Sequence, residues 1–253
     1  MEYQAHRGVA NEFPENTMPA FIAAYEQGYQ VIELDPLFTA DGECVVFHDR
    51  LRINRTCRMP DGTEIPEEIS PKLLTLAQLQ SYDAGVFMGE QFRGVRVPLL
   101  EEAVKYIAKV GLLVKIDNVF GNFAKEQKEK LFDILEASGV RAAFTCKNEE
   151  MIRTVLARFP KAEIHYDGPC DETVLPRIKA LVGDNALTMW VPLDVPRVAW
   201  CTVPKASAEL CAKIKEYGKL GIWLLHEREE LEQAEAFGAD IIETNGALKP
   251  KYS

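Results

Sequence analysis

The chain has 253 residues, 47% of them hydrophobic and 27% charged, and its 39 acidic against 29 basic side chains leave a net charge of −10. These values exclude a disordered, collagen-like or disulfide-scaffold chain, and a nucleic-acid backbone would be repelled unless a basic patch were segregated. No apolar run approaches the roughly 18 residues that a membrane span needs.

Residues 1–8 lack the basic-then-apolar pattern of a signal peptide. The six cysteines, at 44, 57, 146, 170, 201 and 211, form no CxxC pair and have no His at zinc-finger spacing. The expectation is reduced thiols in a cytoplasmic protein. Its partner is expected to be a small molecule, with no nucleic acid and no stable membrane association.

Short apolar runs fall at 3–6, 31–35, 112–117, 142–146, 162–166, 186–191, 221–225 and 240–244, and each reads as a strand. Amphipathic stretches lie between most of them. Thr17 can cap a helix over 17–27, with Pro19 in its first turn and Gly28 as its stop. Helical patterns follow at 123–138, 147–159, 172–182, 205–217 and 228–237. Strands alternating with helices predict right-handed βαβ units and a parallel sheet. Eight units in roughly 250 residues is the arithmetic of an α/β (β/α)8 TIM barrel. The rival, a doubly wound open sheet, usually carries GxGxxG after its first strand, where this chain has His6-Arg7-Gly8.

Residues 36–98 break the alternation. Asp41-Gly42 between alternating residues signals a hairpin with a two-residue turn, which pairs Thr39 with Cys44, Leu37 with Val46 and Asp35 with His48 unless a bulge shifts the register by one. Residues 49–97 are then an insertion after the second strand, rich in Pro and Gly. Insertions of this length usually cover a site. One barrel domain over 1–253 is expected, with 49–97 as an inserted subdomain covering the mouth. The cluster Arg50, Arg52, Arg55 and Arg58 within it reads as solvated loop charge, although a phosphorylated ligand would need only one or two of these cations.

Glu33 and Asp35 project from one face of the second strand, because residues i and i+2 of a strand share a face. Two carboxylates this close need a cation, a shared proton or a basic partner, and a divalent ion with oxygen ligands is the obvious candidate. The hairpin brings His48 beside them. His6 ends the first strand, and in a barrel the C-terminal strand ends share one mouth. Two imidazoles there are suited to moving protons to and from oxygen. Arg7 adds a planar donor fork that matches phosphate.

Taken in order, His6-Arg7-Gly8, Pro14-Glu15-Asn16-Thr17, Glu33-x-Asp35, Thr39-x-Asp41-Gly42 and Val46-Phe47-His48-Asp49 resemble the glycerophosphodiester phosphodiesterase family. The likeness continues through Arg55-Thr56, Leu76-x-x-Leu79, Asp83-Ala84-Gly85, Pro98-x-Leu100-Glu101-Glu102 and Gly238-Ala239-Asp240-x-Ile242-x-Thr244. The resemblance implies a barrel with a small insertion that hydrolyses glycerophosphodiesters to glycerol 3-phosphate and an alcohol. It implies Mg²⁺ or Ca²⁺ on Glu33 and Asp35, His6 and His48 as the acid–base pair, and Arg7 as the phosphate clamp. Glu15 would ligate the ion through water or brace Arg7, and bracing is preferred.

The family pattern on the third barrel strand, Glu-x-Lys, is reversed here as Lys115-Ile116-Asp117. Two arrangements suit the reversal. In one, Asp117 becomes a third metal ligand and Lys115, below the substrate phosphate and deeper in the barrel, pairs with a neighbouring acid. In the other, Lys115 lies between Glu33 and Asp35 and replaces the ion; the first is preferred. Two further departures are Thr244-Asn245 for the family's Thr-Asp, and Trp223-Leu224-Leu225-His226 for its aromatic-Thr-x-Asn. The alternatives to a hydrolase of this kind are a phospho-ligand-binding barrel with reduced or lost catalysis, and a lysophospholipase D-like phosphodiesterase.

Overall fold

In the computed structural model, which describes residues 1–194 and 203–250, the apolar runs are strands and the amphipathic stretches are helices. The first half contains β1 (Glu2–Ala5), α1 (Met18–Glu26), β2 (Val31–Leu34), β3 (Pro36–Phe38), β4 (Cys44–Val46), α2 (Leu76–Leu79), α3 (Leu100–Val110), β5 (Leu113–Ile116) and α4 (Lys125–Ser138). The second half contains β6 (Arg141–Cys146), α5 (Glu149–Arg158), β7 (Glu163–Tyr166), α6 (Val174–Val182), β8 (Leu187–Pro192), α7 (Ala208–Lys215), β9 (Lys219–Leu225), α8 (Arg228–Ala236) and β10 (Ile241–Thr244). Strands β1, β2 and β5 to β10 close into a parallel barrel, in the circular order β1-β2-β5-β6-β7-β8-β9-β10. This is the (β/α)8 architecture expected from the alternation.

Each helix buries one stripe against the strands. In α3, Leu100, Ala103, Val104 and Ile107 face the core, Glu101 and Glu102 occupy the first turn, and Gly111 ends the helix at φ 76°. That acid placement complements the positive end of the helix dipole, and a left-handed C-terminal residue favours glycine. Thr17 stands at the start of α1 as expected, but its hydroxyl donates to the Pro14 carbonyl at 2.5 Å rather than capping the helix.

Among the described residues, hydrophobic side chains form three clusters. The largest lies between strands and helices, and a small one inside the barrel joins Val31, Leu113, Ala143, Trp190 and Ile241. A third, including Leu37, Val45, Phe47, Ile53, Cys57, Leu79 and Val97, is built from the hairpin and the following insertion. Asp83 organises this insertion by accepting from the backbone N–H groups of Gly85, Val86 and Gly94. Among the described residues five cysteines are free and buried, and Cys201 lies outside the described residues.

The hairpin register differs from the expected one. Pro36 pairs with Val46, Leu37 with Val45 and Phe38 with Cys44, so each partner is one residue earlier than a two-residue turn gives. The cause is a three-residue loop. Thr39 and Glu43 close it through the Thr39 N–H to Glu43 carbonyl bond, and Gly42 takes φ 77°. A three-residue loop ending in a left-handed glycine is a common hairpin form. Asp35 consequently accepts from the Phe47 N–H at 2.8 Å, and His48 stands one residue beyond the direct pair.

Candidate active site

Parallel strands deliver alternate residues to the barrel interior, and here many of those residues are polar. Gln4, Glu33, Lys115, Thr145, His165, Thr188 and Glu243 are all buried. An apolar interior would pack solid; this one leaves a cavity of about 470 Å³ at the C-terminal mouth. His6, Arg7, Glu33, Asp35, His48, Lys115 and Asp117 all line it. The shifted hairpin register therefore still brings His48 to the same mouth. Glu15 lies behind this wall. It accepts from Arg7 Nη1 at 3.2 Å and also bonds Arg55.

The chain turns sharply after β1. His6 N–H donates to the Thr244 carbonyl at 3.0 Å and so prolongs the pairing with β10. Arg7 then takes φ 57° and Gly8 φ 79°. A Cβ at Gly8 would lie 2.7 Å from the Ala20 side chain and 2.8 Å from its backbone, so α1 can approach the turn only because position 8 has none. The turn aims the Arg7 N–H at Glu33 Oε2, 2.9 Å away, while its side chain reaches Asp35 at 3.4 Å. The His6 Nδ1 atom lies 2.6 Å from Asn245 Oδ1, which orients the ring.

Charge in the cavity is strongly coupled. Burial opposes ionisation of Asp35, but Arg7, His48, the Asn16 amide and His6 together outweigh it and hold the carboxyl below its usual range. Glu33 is pushed well above the ordinary carboxylate range by burial and then by the Asp35, Glu243 and Asp117 charges. Asp117 is pushed up to about 6 by burial and by Asp35. Burial pushes His48 below the usual imidazole value, with Asp35 acting in the opposite sense.

Lys115 is drawn away from the pair. Its Nζ bonds Glu243 Oε2 at 3.3 Å and lies 4.0 Å from the centre of the Trp190 ring. Burial opposes this ammonium, but Glu243, Glu33, Asp167 and Asp117 outweigh it and raise its pKa. Gln4 donates to the same Glu243 carboxylate. The register sets Lys115 beside Glu33, so the next inward pair is Asp35 with Asp117.

Several cavity residues escaped the sequence reading. Glu243 anchors Lys115, and Asp167, Lys147, Asn118, Arg50 and Trp190 complete the walls. Their signal was present, since Asp167, Lys147 and Asn118 follow barrel strands, Glu243 and Trp190 lie within them and Arg50 opens the insertion, but no motif singled them out. The expectation of solvated loop charge fails for Arg50, which lines the mouth.

A model of the Glycerophosphoryl diester phosphodiesterase family matches residues 6–161, more than half of the chain. The chain belongs to this family. Among curated relatives, a glycerophosphodiester phosphodiesterase of Caldanaerobacter subterraneus subsp. tengcongensis is 40% identical over 113 residues, covering 45% of this chain and 43% of the relative. One from Bacillus altitudinis is 37% identical over 105 residues, covering 42% and 39% respectively. The chain thus matches less than half the length of these relatives. Among solved structures, an Oleispira antarctica phosphodiesterase in complex with the product sn-glycerol-3-phosphate gives a TM-score of 0.79 at 20% identity, with 98% of this chain and 94% of that one covered. A Thermotoga maritima glycerophosphodiester phosphodiesterase gives 0.67 at 17% identity, with 97% and 94% covered. At such identities the likeness establishes the fold alone.

The donors facing the cavity fit a hard divalent cation. Glu33, Asp35 and Asp117 offer only oxygen, the ligand type that Mg²⁺ and Ca²⁺ take. Two of the three, Glu33 and Asp117, are driven upward in part by the Asp35 charge, the electrostatic sign of carboxylates short of positive charge. Among the described residues, no group of three or more His, Cys, Asp or Glu side chains is already gathered at metal-binding spacing. No helix among them is long and apolar enough to cross a membrane.

Proposed function

We propose that the chain is a metal-assisted phosphodiesterase that cleaves glycerophosphodiesters to glycerol 3-phosphate and an alcohol. One observation carries the reading: His6, His48, Arg7, Glu33 and Asp35 line a single cavity at the strand ends. Partial desolvation lowers the pKa of His48, which suits it to accept a proton. His6, oriented by Asn245, faces the same space from β1. One imidazole takes the proton of the glycerol hydroxyl as its oxygen attacks phosphorus. The other protonates the departing alcohol, and water then opens the resulting cyclic phosphate.

Arg7 supplies the donor fork for the phosphoryl oxygens, held in place by Glu15 and Asp35, and Lys115 adds positive charge from below. Glu33, Asp35 and Asp117 would hold Mg²⁺ or Ca²⁺, whose charge would neutralise the phosphate. The insertion, residues 49–97, closes one side of the mouth through Arg50. Buried free thiols fit a cytoplasmic setting.

The test is an assay of purified protein on glycerophosphocholine, after chelation and with Mg²⁺ or Ca²⁺ restored. Release of glycerol 3-phosphate that depends on added metal is expected. Asp117→Asn should weaken metal affinity by at least the roughly 10–100-fold that loss of a mere supporting contact costs. Metal-independent turnover, or unchanged metal dependence in that variant, would remove Asp117 from the ligand set. A second reading, a phospho-ligand-binding barrel with little catalysis, draws on the commitment of the Lys115 ammonium to Glu243. Tight binding of glycerol 3-phosphate with no turnover under any metal condition would favour it.

A further inference from the structure

The cavity has a second wall, opposite the histidines, that the proposed chemistry does not use. It is built by β6, β7 and β8. Tyr166 pairs with Cys146 on one side and Met189 on the other, so Lys147, Asp167 and Trp190 are the next residues in register, at one level of the mouth. Thr145 stands one level deeper beside His165. All four of Lys147, Asp167, Trp190 and Thr145 line the cavity. Gly221 faces Trp190 on β9, and a Cβ there would lie 2.5 Å from the indole, so the bare glycine is what lets the ring lie across this wall.

Three polar atoms of the wall are buried without a hydrogen-bond partner among the described residues: Thr145 Oγ1, Trp190 Nε1 and Asp167 Oδ1. Thr145 and Trp190 are themselves 1% and 0% exposed. Buried polar atoms left unpaired cost free energy, so their persistence beside a cavity points to a ligand that completes them. The three differ in kind. An indole N–H only donates, a carboxylate only accepts, and a hydroxyl does both. A quaternary ammonium would satisfy neither the Trp190 donor nor the Lys147 charge. A second anionic group would meet Asp167. Hydroxyl groups both donate and accept.

We infer that this wall is a subsite for a polyol, so that the alcohol released from phosphorus is itself hydroxyl-rich, as in a glycerol or cyclitol headgroup. The inference rests on the phosphodiesterase reading above and adds to it the class of the second substituent. Asp167 accepts from adjacent hydroxyls, Trp190 Nε1–H donates to another, and the Thr145 hydroxyl takes whichever role remains.

The experiment compares glycerophosphoglycerol with glycerophosphocholine. In the wild type, kcat/KM should favour the polyol diester by tenfold or more. Thr145→Val, which keeps shape and removes the hydroxyl, should lower that ratio about tenfold, as should Asp167→Asn. The ratio cancels general damage to turnover, and Asp167→Asn, at a more open position, carries the test if Thr145→Val does not fold. Calorimetric binding of both diesters to the His6→Ala/His48→Ala double variant reads the subsite without catalysis. A polyol preference there that vanishes in either wall variant supports the subsite even if the wild type hydrolyses neither diester, an outcome that would sink the phosphodiesterase reading alone. Equal affinities, or a kcat/KM ratio that the wall variants leave unchanged, would overturn the subsite while leaving the catalytic reading intact.

Discussion

His6 and His48 reach one cavity by different routes. His6 comes from the pairing of β1 with β10, and His48 from a hairpin outside the barrel. General acid–base groups contribute roughly 10²–10⁴-fold each, so His6→Ala and His48→Ala should each lower turnover on a glycerophosphodiester by that much, with unchanged circular dichroism. Retention of most activity in both variants would refute the roles given to them. Lys115 makes a different kind of prediction. Its ion pair with Glu243 is buried on both sides, so removing the ammonium leaves an uncompensated charge. Lys115→Met should destabilise the fold by about 3–5 kcal/mol in urea unfolding, whereas Lys115→Met with Glu243→Gln should recover most of that loss. If the double variant is no more stable than the single one, the pair is not what holds Lys115 in place.

At the scale of elements, the strand–helix alternation was legible because each barrel strand is a short apolar run and each helix shows a 3.6-residue stripe. Both signals are local. The hairpin was legible only as a hairpin. Asp41-Gly42 marked the turn, but whether the loop holds two residues or three depends on the conformation of Gly42, and that one residue moved the partner of Asp35 from His48 to Phe47. That Lys115 pairs with an acid was legible, but the identity of that acid, Glu243, was not, since the pair joins β5 to β10 across 128 residues and exists only once the barrel closes. The motif residues were readable because they fall within short spacings, and the opposite wall was not, because its residues come singly from separate strands. Gly221 illustrates the second case. It carries no motif, yet its missing side chain accommodates the Trp190 ring. Gly221→Ala should overpack the barrel by about 1–3 kcal/mol and shift the tryptophan fluorescence. An alanine variant with wild-type stability and emission would mean that the ring has room to move.

Across the whole molecule, buried titratable groups set opposing pH dependences. His165 lies inside the barrel, 1% exposed, bonded to Glu163 at 3.1 Å and facing Trp190, Lys115 and Glu243. Burial, and then the Lys115 charge, hold its pKa below the usual imidazole value against the pull of Glu163 and Glu243. The native state therefore keeps His165 neutral, while the unfolded chain takes up a proton below a pH of about 6.5. Stability contributed by this residue is present above that pH and is lost as pH falls towards the folded pKa. Asp117 and Asp167 act the other way. Each is pushed up to about 6, so the native state binds protons that the unfolded carboxylates release down to a pH of about 4, and their burial becomes less costly as pH falls. The net curve of the wild type mixes these signs, so the histidine must be read by difference. One proton changes the slope by at most about 1.4 kcal/mol per pH unit. His165→Gln should therefore gain on the wild type by about 1 kcal/mol between pH 7 and pH 5.5, whatever its offset at neutral pH. Urea midpoints measured in chelator across that range would read the gap without interference from a divalent ion on the carboxylates. Parallel curves for the two proteins would mean that His165 is protonated equally in the folded and unfolded chain, and that Lys115 and burial do not exclude its charge.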